Sequence, residues 1–408
     1  MKVVFLAPNY PPEMQQYTRG LADVGATVYG VGDTPVAQLH PSVRQYLSDY
    51  LQVPRILDED DVVARVHAWL RGREVDRVLA NWEVLVLTAA RLRERFGLPG
   101  MSLYTVRGFR DKQLMKERVA AAGLRVPRAL RVRTVAEANA AVEAIGYPLI
   151  LKPIDGAGSA DTYRLDSADQ LPGVLAAMRH VGEASCEEFI EGEEFTFDTV
   201  CIAGKPAITN VCQYLPPPLI ARTQEWISPV IITVRDLEQA KLANGIKLGR
   251  GVLDALGMGD GFTHMEWFRK VDGEAVFGEI GCRPGGAHLV DQINYTCDID
   301  LFREWARVCC WGTFSAPIER KYNVAIIFKR ARGHGRIRRI EGLQSFLRDY
   351  GEYVVEQKLL PVGTPRRNWK QTLTSDGHIM LRHPDWERTR ALAEIVANDI
   401  TMHAEQDG

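Results

Sequence analysis

The chain has 408 residues, with 50 Lys+Arg, 52 Asp+Glu and a formal net charge of -2. This balance provides no overall attraction to nucleic acid or to an anionic membrane, so neither is expected as a partner. Its 46% hydrophobic and 25% charged residues are ordinary for a soluble globular protein, and no apolar run reaches the length of a membrane span.

The cysteines and the first residues bear on the cellular compartment. Seven cysteines are an odd number, and none of them form a Cys-x-x-Cys pair. Lys2 leads directly into a short strand-like segment and then Pro11-Pro12, which is not the pattern of a signal peptide. Reduced thiols in a cytoplasmic enzyme fit these observations best.

Residues 1–105 alternate predicted strands with predicted helices, which implies a parallel sheet with right-handed crossovers. The strands are predicted at 3–7, 26–31 and 77–80, and the helices near 13–24, 61–71 and 85–96. The first strand is followed by Pro8-Asn9-Tyr10-Pro11-Pro12 and not by a Gly-x-Gly-x-x-Gly turn. A dinucleotide is therefore not expected here, although the strand-end loops can line a substrate pocket.

Residues 106–185 form a smaller predicted unit that could move as a lid. A helix runs from about 111 to Gly123, a strand covers 129–132, and Thr134 begins a helix through a capping box. A buried strand then ends at Lys152, and lysine is rarely buried without an anionic partner. The small residues at 155–160 would let backbone N–H groups surround phosphate oxygens.

Residues 186–320 and 321–408 are predicted as two further units. The first has strands near 195–203, 207–214 and 228–234, a helix at 237–256, a hairpin at 262–283 and a helix at 300–311. The second has a strand at 323–329, a hairpin about Gly377 and a helix from 386 to about 403. Its basic segment 330–339 lacks interleaved aromatic residues, which favours a solvated turn over a nucleic-acid site.

The hairpin at 262–283 has the pattern of a metal site. A two-residue turn at Asp272-Gly273 would place Val271 opposite Glu274 and Glu266 opposite Glu279, with His264 and Arg283 on the same face. Two directly opposed carboxylates repel each other, and a divalent cation would remove that repulsion. Oxygen-only ligation suits Mg2+. The alternative is an exposed hairpin whose two acids face water.

In this order, the pieces resemble the ATP-grasp superfamily over residues 1 to about 400, and most closely the carboxylate–amine ligases with a biotin-carboxylase-like layout, including L-amino-acid (dipeptide) ligases. The resemblance implies an α/β chain that is α+β in its ATP-grasp part. Its four domains would be an N-terminal Rossmann-like pre-ATP-grasp domain (1–105), an ATP-grasp lid subdomain (106–185), a central subdomain with the Mg2+ site (186–320) and a small C-terminal α+β domain (321–408).

The resemblance also implies a set of ATP-binding residues. Lys112 and Lys152 would contact the phosphates from two sides, under a closing loop of Gly156, Ala157, Gly158, Ser159 and Ala160. The segment Glu187, Glu188, Phe189 and Ile190 matches the strand that holds adenine. In that segment Glu187 would accept from the exocyclic amine, and the backbone of Glu188 and Ile190 would reach the base. Glu194 would bind the ribose hydroxyls.

Glu266 and Glu279 match the family's metal carboxylates, with Mg2+ or Mn2+ as the ion, and Arg283 matches the arginine that steadies the transferred phosphoryl group. One position departs from the family: its usual asparagine, a third metal ligand, is Gly281 here. Water or substrate could take that place. His264 could also occupy the space, or it could be a packed or solvent-bridged histidine.

The implied reaction joins a carboxylate to an amine through an acyl phosphate, with ADP and phosphate released. Gly285 and Gly286 would leave room for the substrate beside Arg283. Arg222 could pair with an amino-acid carboxylate, or it could be an ordinary exposed loop arginine. An amino acid is the expected substrate, and because related enzymes are often dimers a homodimer is the expected assembly.

Two other functions stay open on the sequence alone. A biotin-carboxylase-like carboxylase subunit would need bicarbonate and a biotinylated partner and would form no amide. A nucleotide-binding regulatory protein without catalysis is suggested by Gly281, whereas the presence of both lysines and both metal carboxylates speaks against it.

Overall fold

The computed structural model describes residues 1–154, 161–221, 223–370, 372 and 374–406. The chain begins with a parallel sheet in the order β3-β2-β1-β4, which confirms the parallel sheet predicted for this region. Its strands are β1 (Lys2–Leu6), β2 (Thr27–Gly32), β3 (Leu47–Gln52) and β4 (Arg77–Leu79). The helices of this unit are α1 (Met14–Asp23), α2 (Pro41–Arg44), α3 (Glu59–Trp69) and α4 (Val86–Phe96).

The second unit contains an antiparallel sheet in the order β5-β8-β6-β7. Thr134 caps a helix as predicted, because its hydroxyl accepts a hydrogen bond from the Glu137 amide at 3.1 Å. The elements are α5 (Leu103–Gly108), α6 (Lys112–Ala121), β5 (Ala129–Val132), α7 (Val135–Ile145), β6 (Leu149–Pro153), β7 (Tyr163–Leu165), α8 (Leu171–Ala177) and β8 (Ala184–Glu188).

The third unit supplies most of a large antiparallel sheet. Two glycines of its long helix pack on aromatic rings of the sheet, since an added Cβ would lie 2.1 Å from Trp267 at Gly245 and 2.5 Å from Phe197 at Gly249. The elements are β9 (Glu193–Ile202), β10 (Lys205–Asn210), β11 (Cys212–Leu215), α9 (Pro218–Ala221), β12 (Val230–Thr233), α10 (Ala240–Leu256), β13 (Gly261–Arg269), β14 (Ala275–Gly281), α11 (Leu289–Cys297) and α12 (Leu301–Trp311).

The last part of the chain extends the same sheet, whose order is β14-β13-β9-β11-β12-β15-β19-β18 with β10 on β9. The predicted domain boundary at 320 therefore falls within one continuous sheet, and the division into domains stays a prediction. The elements are β15 (Asn323–Phe328), β16 (Arg332–Gly333), β17 (Arg336–Glu341), α13 (Leu343–Tyr350), β18 (Val354–Leu359), β19 (Gly377–His383), α14 (Trp386–Asp399) and β20 (Thr401–Glu405).

Two predictions for this last part are wrong. Gly377 does not turn a hairpin, because it pairs with Leu359 and the two strands are joined by the segment 360–376. The predicted helix at 386–403 ends at Asp399, and residues 401–405 form a strand between β16 and β17. The alternating burial of Met402 and Ala404 stabilises that strand against the small sheet.

An aromatic cluster joins the N-terminal unit to the central one. Tyr17 of α1 lies 5.0 Å from the Phe302 ring and 5.2 Å from the Trp305 ring of α12. These buried rings fix the N-terminal sheet beside the hairpin β13–β14. In the described part of the chain, none of the helices has the combination of length and apolarity that a membrane span requires.

Candidate active site

The hairpin of β13 and β14 has the predicted pairing at its acidic positions. Glu266 lies opposite Glu279, and His264 lies opposite Gly281. The neighbouring strand β9 pairs with the other edge of β13, so the hairpin is part of the large sheet and not an exposed ribbon. Both carboxylates consequently face the interior of a cleft.

The predicted two-residue turn is wrong. The Lys270 amide donates to the Glu274 carbonyl at 2.9 Å, so the loop contains Val271, Asp272 and Gly273. A β-bulge between Glu266 and Trp267 then places Gly278 as an extra residue on β14. The longer turn shifts the pairing by one residue and the bulge shifts it back, which is why the acidic pair was predicted correctly.

A cavity of about 550 Å³ lies between the two antiparallel sheets. One end is apolar, and the other is lined by lysine and glutamate side chains. Nine predicted site residues line it: Lys112, Lys152, Glu187, Glu188, Phe189, Ile190, Glu194, Glu266 and Glu279. The predicted loop residues Gly156, Ala157, Gly158, Ser159 and Ala160, together with Arg222, lie outside the described residues.

Lysines from two elements converge on this cavity. Asp111 caps α6 by accepting from the amides of the first turn, and this places Lys112 Nζ 3.3 Å from Glu279 Oε2. Lys152, near the end of β6, lies 3.0 Å from Glu187 and 3.9 Å from Glu279. Burial alone would lower the pKa of Lys152, but the two carboxylates outweigh it and raise the pKa. The ammonium group is therefore charged.

Lys116 is a third buried lysine that the sequence analysis missed. Its Nζ lies 2.8 Å from Glu187 Oε1, which also accepts from the Ser185 hydroxyl at 2.8 Å. Burial would raise the pKa of Glu187, but Lys116 and Lys152 outweigh it and lower the pKa. The spacing of four residues from Lys112 was the available signal, because it puts both lysines on one helix face.

Three carboxylates form the opposite wall. Burial, together with the nearby charges of Glu266 and Glu279, raises the pKa of Glu194 well above its ordinary value. Burial acts in the same direction on Glu279, but Lys112 and Lys152 outweigh it and set its pKa at about 2. The Tyr214 hydroxyl donates to Glu266 at 3.2 Å. This crowding of acidic groups fits a divalent cation, whose charge would offset the repulsion.

The space beside Gly281 is taken by Glu83, from the N-terminal unit, and by Arg283. A Cβ added at Gly281 would lie 3.0 Å from Glu83 Oε2 and 3.4 Å from Arg283. Glu83 accepts from the Arg283 guanidinium and, at 2.8 Å, from Arg110. Burial would raise the pKa of Glu83, but the two arginines outweigh it and lower the pKa. Glu83 had no local sequence signal, since its partners are distant in the chain.

His264 lies against Gly285, where an added Cβ would be 3.1 Å from its Nδ1. That nitrogen is 2.6 Å from Asp198 Oδ1, and Nε2 is 3.6 Å from Glu266. Burial lowers the pKa of His264, whereas the hydrogen bond with Asp198 and the nearby Glu266 carboxylate raise it to about 9 overall. A Cβ added at Gly286 would meet none of the described atoms within 4 Å. Gly286 thus has room beside it for a ligand, whereas Gly285 is packed against His264 and Leu289, whose Cδ1 would lie 2.4 Å from an added Cβ.

Two of the residues predicted to hold adenine, Phe189 and Ile190, lie among the apolar residues that line the cavity. Ile150 and Phe268 line the same apolar slot. The Glu188 carboxylate faces away toward Arg125, at 2.9 Å. Pro217 and the α9 residues Leu219 and Ile220 also line this apolar slot, and a lining of this kind suits a planar base.

Comparison with solved structures defines the fold. The L-amino acid ligase from Bacillus licheniformis matches 100% of this chain and 99% of its own with a TM-score of 0.80, at 20% sequence identity. The fold is that of the ATP-grasp enzymes. No protein-family model matches the chain.

Sequence comparison finds amino acid ligases among the relatives of this chain. The L-arginine-specific L-amino acid ligase of Bacillus subtilis is 29% identical over 234 residues, covering 56% of each chain. An alanine–anticapsin ligase of Bacillus subtilis is 24% identical over 273 residues, covering 62% of this chain and 58% of its own. The chain is therefore similar to ATP-grasp carboxylate–amine ligases, which confirms the predicted resemblance. The matches span less than two thirds of the length of these relatives.

Proposed function

We propose that this chain is an ATP-dependent ligase that joins a carboxylate to an amine, with an amino acid as one substrate and ADP and phosphate as products. One observation supports this most directly: lysines from α6 and β6 face three carboxylates across a single cavity of about 550 Å³. That arrangement can bind a polyphosphate together with a cation. The amino acid ligases among its relatives favour an amino acid as substrate.

In the proposed reaction, an oxygen of the substrate carboxylate attacks the γ-phosphorus of ATP as the bond to ADP breaks. The amine nitrogen then attacks the carbonyl carbon of the acyl phosphate, phosphate leaves, and the nitrogen loses a proton. Lys112 and Lys152 would bind phosphate oxygens, and Arg283 would offset the negative charge that develops on the transferred group. Glu83 and Arg110 would position Arg283 for this role.

The divalent cation implied by the fold would be held by Glu266 and Glu279, and we propose Mg2+ because the donors are oxygens. When bound, it supplies positive charge against the phosphates. Glu194 would bind ribose hydroxyls. It lies close enough to Glu266 and Glu279 that their negative charges raise its pKa. The cytoplasmic location, the homodimer and the assignment of Gly156–160 and Arg222 remain predictions.

Glu187 has a different proposed role from the one that the resemblance implied. Both of its oxygens already accept from side chains, Oε1 from Lys116 and Ser185 and Oε2 from Lys152. We therefore assign Glu187 to positioning the lysines, and we assign recognition of the adenine edge to the backbone of residues 188–190. Phe189 and Ile190 line the slot beside that backbone.

The test is phosphate release from Mg-ATP with single and paired amino acids, followed by mass spectrometry of the products. Release that requires two substrates, with a product mass equal to their sum less water, is the expected result. Glu279→Gln should lower the rate by about 100- to 1000-fold. The matched control is Glu274→Gln, because Glu274 lies at the turn of the same hairpin and pairs with Lys270 at 2.7 Å.

Three outcomes would contradict the proposal. Unchanged phosphate release in Glu279→Gln would show that the metal assignment is wrong. Release that depends on bicarbonate and yields no amide would indicate the carboxylase function instead. ATP binding without phosphate release across the amino-acid panel would favour a regulatory protein or a different carboxylate.

A further inference from the structure

Two histidines and a glutamate meet outside the ATP cavity, where the segment after Arg283 reaches the C-terminal strands. His288 immediately precedes α11, whereas Glu356 and His378 lie on the paired strands β18 and β19. One potential ligand atom from each residue lies within 4.8 Å of those of the other two. In a tetrahedral site with bonds near 2.1 Å, donor atoms are about 3.4 Å apart. Small side-chain rotations would therefore suffice.

The contacts around His288 prepare it for metal binding. Its Nδ1 is 2.9 Å from Asp291 Oδ2, and this hydrogen bond would leave Nε2 as the ligand atom. Metal-bound histidines commonly have a carboxylate behind the other ring nitrogen, which fixes the tautomer and the ring orientation. Ala287 and His288 both have positive φ angles, 53° and 61°. Such angles are uncommon for residues other than glycine, and here they turn His288 toward the C-terminal strands.

The other two donors are already in contact. His378 is buried, and its Nε2 lies 2.6 Å from Glu356 Oε1. The His288 and His378 ring centroids are 4.4 Å apart. Asp291 and Glu356 contribute two negative charges, whereas Lys358, 3.1 Å from the other Glu356 oxygen, contributes one positive charge. With neutral imidazoles the cluster has a formal charge of -1, which favours a cation.

A structural role alone would explain less of this arrangement. A buried histidine–glutamate pair needs only His378 and Glu356, and it does not account for a third donor with its own carboxylate. We infer that His288, Glu356 and His378 bind a divalent transition-metal ion of the Zn2+ class, separate from the Mg2+ carboxylates. Two imidazoles and one carboxylate are donors that Zn2+ accepts in four-coordinate sites, with water as the remaining ligand.

The ion would join the segment after Arg283 to the C-terminal strands β18 and β19. His288 follows Arg283 by five residues, with Gly285 and Gly286 between them. Metal binding at His288 would therefore fix that segment against β18 and β19. An effect of the ion on catalysis rests on the proposed function. Binding of the ion does not, because it can be measured without turnover.

The experiment is a Zn2+ titration of tag-free, chelator-treated protein in excess Mg2+, monitored by competition with a chromogenic chelator. Wild-type protein should bind one equivalent. His288→Gln and His378→Gln should each weaken that binding by about tenfold or more. His403→Gln is the matched control, because His403 forms an exposed histidine–glutamate pair with Glu341 at 3.1 Å on another sheet, and it should bind as wild type does.

Two further measurements keep the result interpretable. Co2+ should give a visible absorption band typical of four-coordinate sites in wild type and in His403→Gln, and the band should be absent from the other two variants. Thermal unfolding without metal should be the same for wild type and His288→Gln, since His288 is half-buried. If His288→Gln is folded and binds Zn2+ with unchanged affinity, or if wild type binds none, the inference is overturned.

Discussion

The cavity of about 550 Å³ has a lysine wall, which contains Lys116, Lys152 and Glu187, and an acidic wall, which contains Glu194, Glu266 and Glu279. Glu187 and Glu194 are buried to almost the same extent, but their pKa values shift in opposite directions. Glu187 is 4% exposed and Glu194 is 7% exposed. Lys116 and Lys152 lower the pKa of Glu187 against the effect of burial, whereas burial and two further carboxylates raise the pKa of Glu194. Burial alone therefore does not distinguish a structural ion pair from a group that a ligand must complete. The neighbouring charges do.

The largest expected loss of stability comes from a substitution of Glu187 in the lysine wall. Glu187→Gln would leave two buried ammonium groups without their shared carboxylate, and it should lower the free energy of unfolding by about 3–5 kcal/mol. Urea unfolding at neutral pH measures this change. Glu188→Gln is the control, since Glu188 is partly exposed beside Arg125 and should cost about 1 kcal/mol or less. Equal losses in the two variants would show that the two lysines do not make Glu187 more important for stability than its partly exposed neighbour.

A smaller loss of stability is expected when Lys116, the ion-pair partner of Glu187 on α6, is replaced. Lys116→Met conserves length and leaves Lys152 and Ser185 in contact with the carboxylate, so the expected loss is about 1–3 kcal/mol. The KM for ATP should rise as well, because Glu187 would draw Lys152 away from the phosphates. Steady-state kinetics and urea unfolding on the same preparation measure both effects. A loss as large as that of Glu187→Gln would mean that Lys152 contributes little to the pair.

The effect that is smallest per pH unit should appear on the acidic wall, as a dependence of stability on pH. Because the folded-state pKa of Glu194 is raised above 4.5, its contribution to stability is complete below about pH 4.5 and is lost as the pH rises toward the folded pKa. The slope is at most about 1.4 kcal/mol per pH unit. Glu194→Gln should therefore become more stable relative to wild type as the pH increases, in buffer without Mg2+.

Unfolding curves between pH 4 and pH 8 test this prediction, with added Mg2+ as the comparison. The cation should reduce the difference between the two proteins, since it offsets the charge that Glu194 meets. A stability difference that is constant with pH would show that neither burial nor the two neighbouring carboxylates raise the pKa of Glu194.

The sequence was sufficient for the parts of the site that local patterns specify. The capping box at Thr134 predicted a helix start that the structure confirms. The pairing of Glu266 with Glu279 was predicted correctly from alternation, but only because the bulge compensates for the longer turn. The sequence was insufficient where distant segments meet. Glu83 reaches Arg283 across 200 residues, and no local pattern marks such a pair. The C-terminal strand β20 was hidden because its residues also fit a helix until Met402 and Ala404 find their sheet partners.

The bulge at Gly278 has an unusual implication for how this hairpin tolerates changes of length. Trp267 pairs with Phe277 and Glu266 with Glu279, so Gly278 is extra to the ladder on β14. Deleting the residue would leave both pairs in register, whereas adding a single methyl group at Gly278 would bring a carbon within 2.8 Å of the Glu266 carbonyl oxygen. Among homologous chains, a missing residue should therefore be found at this position more readily than an alanine.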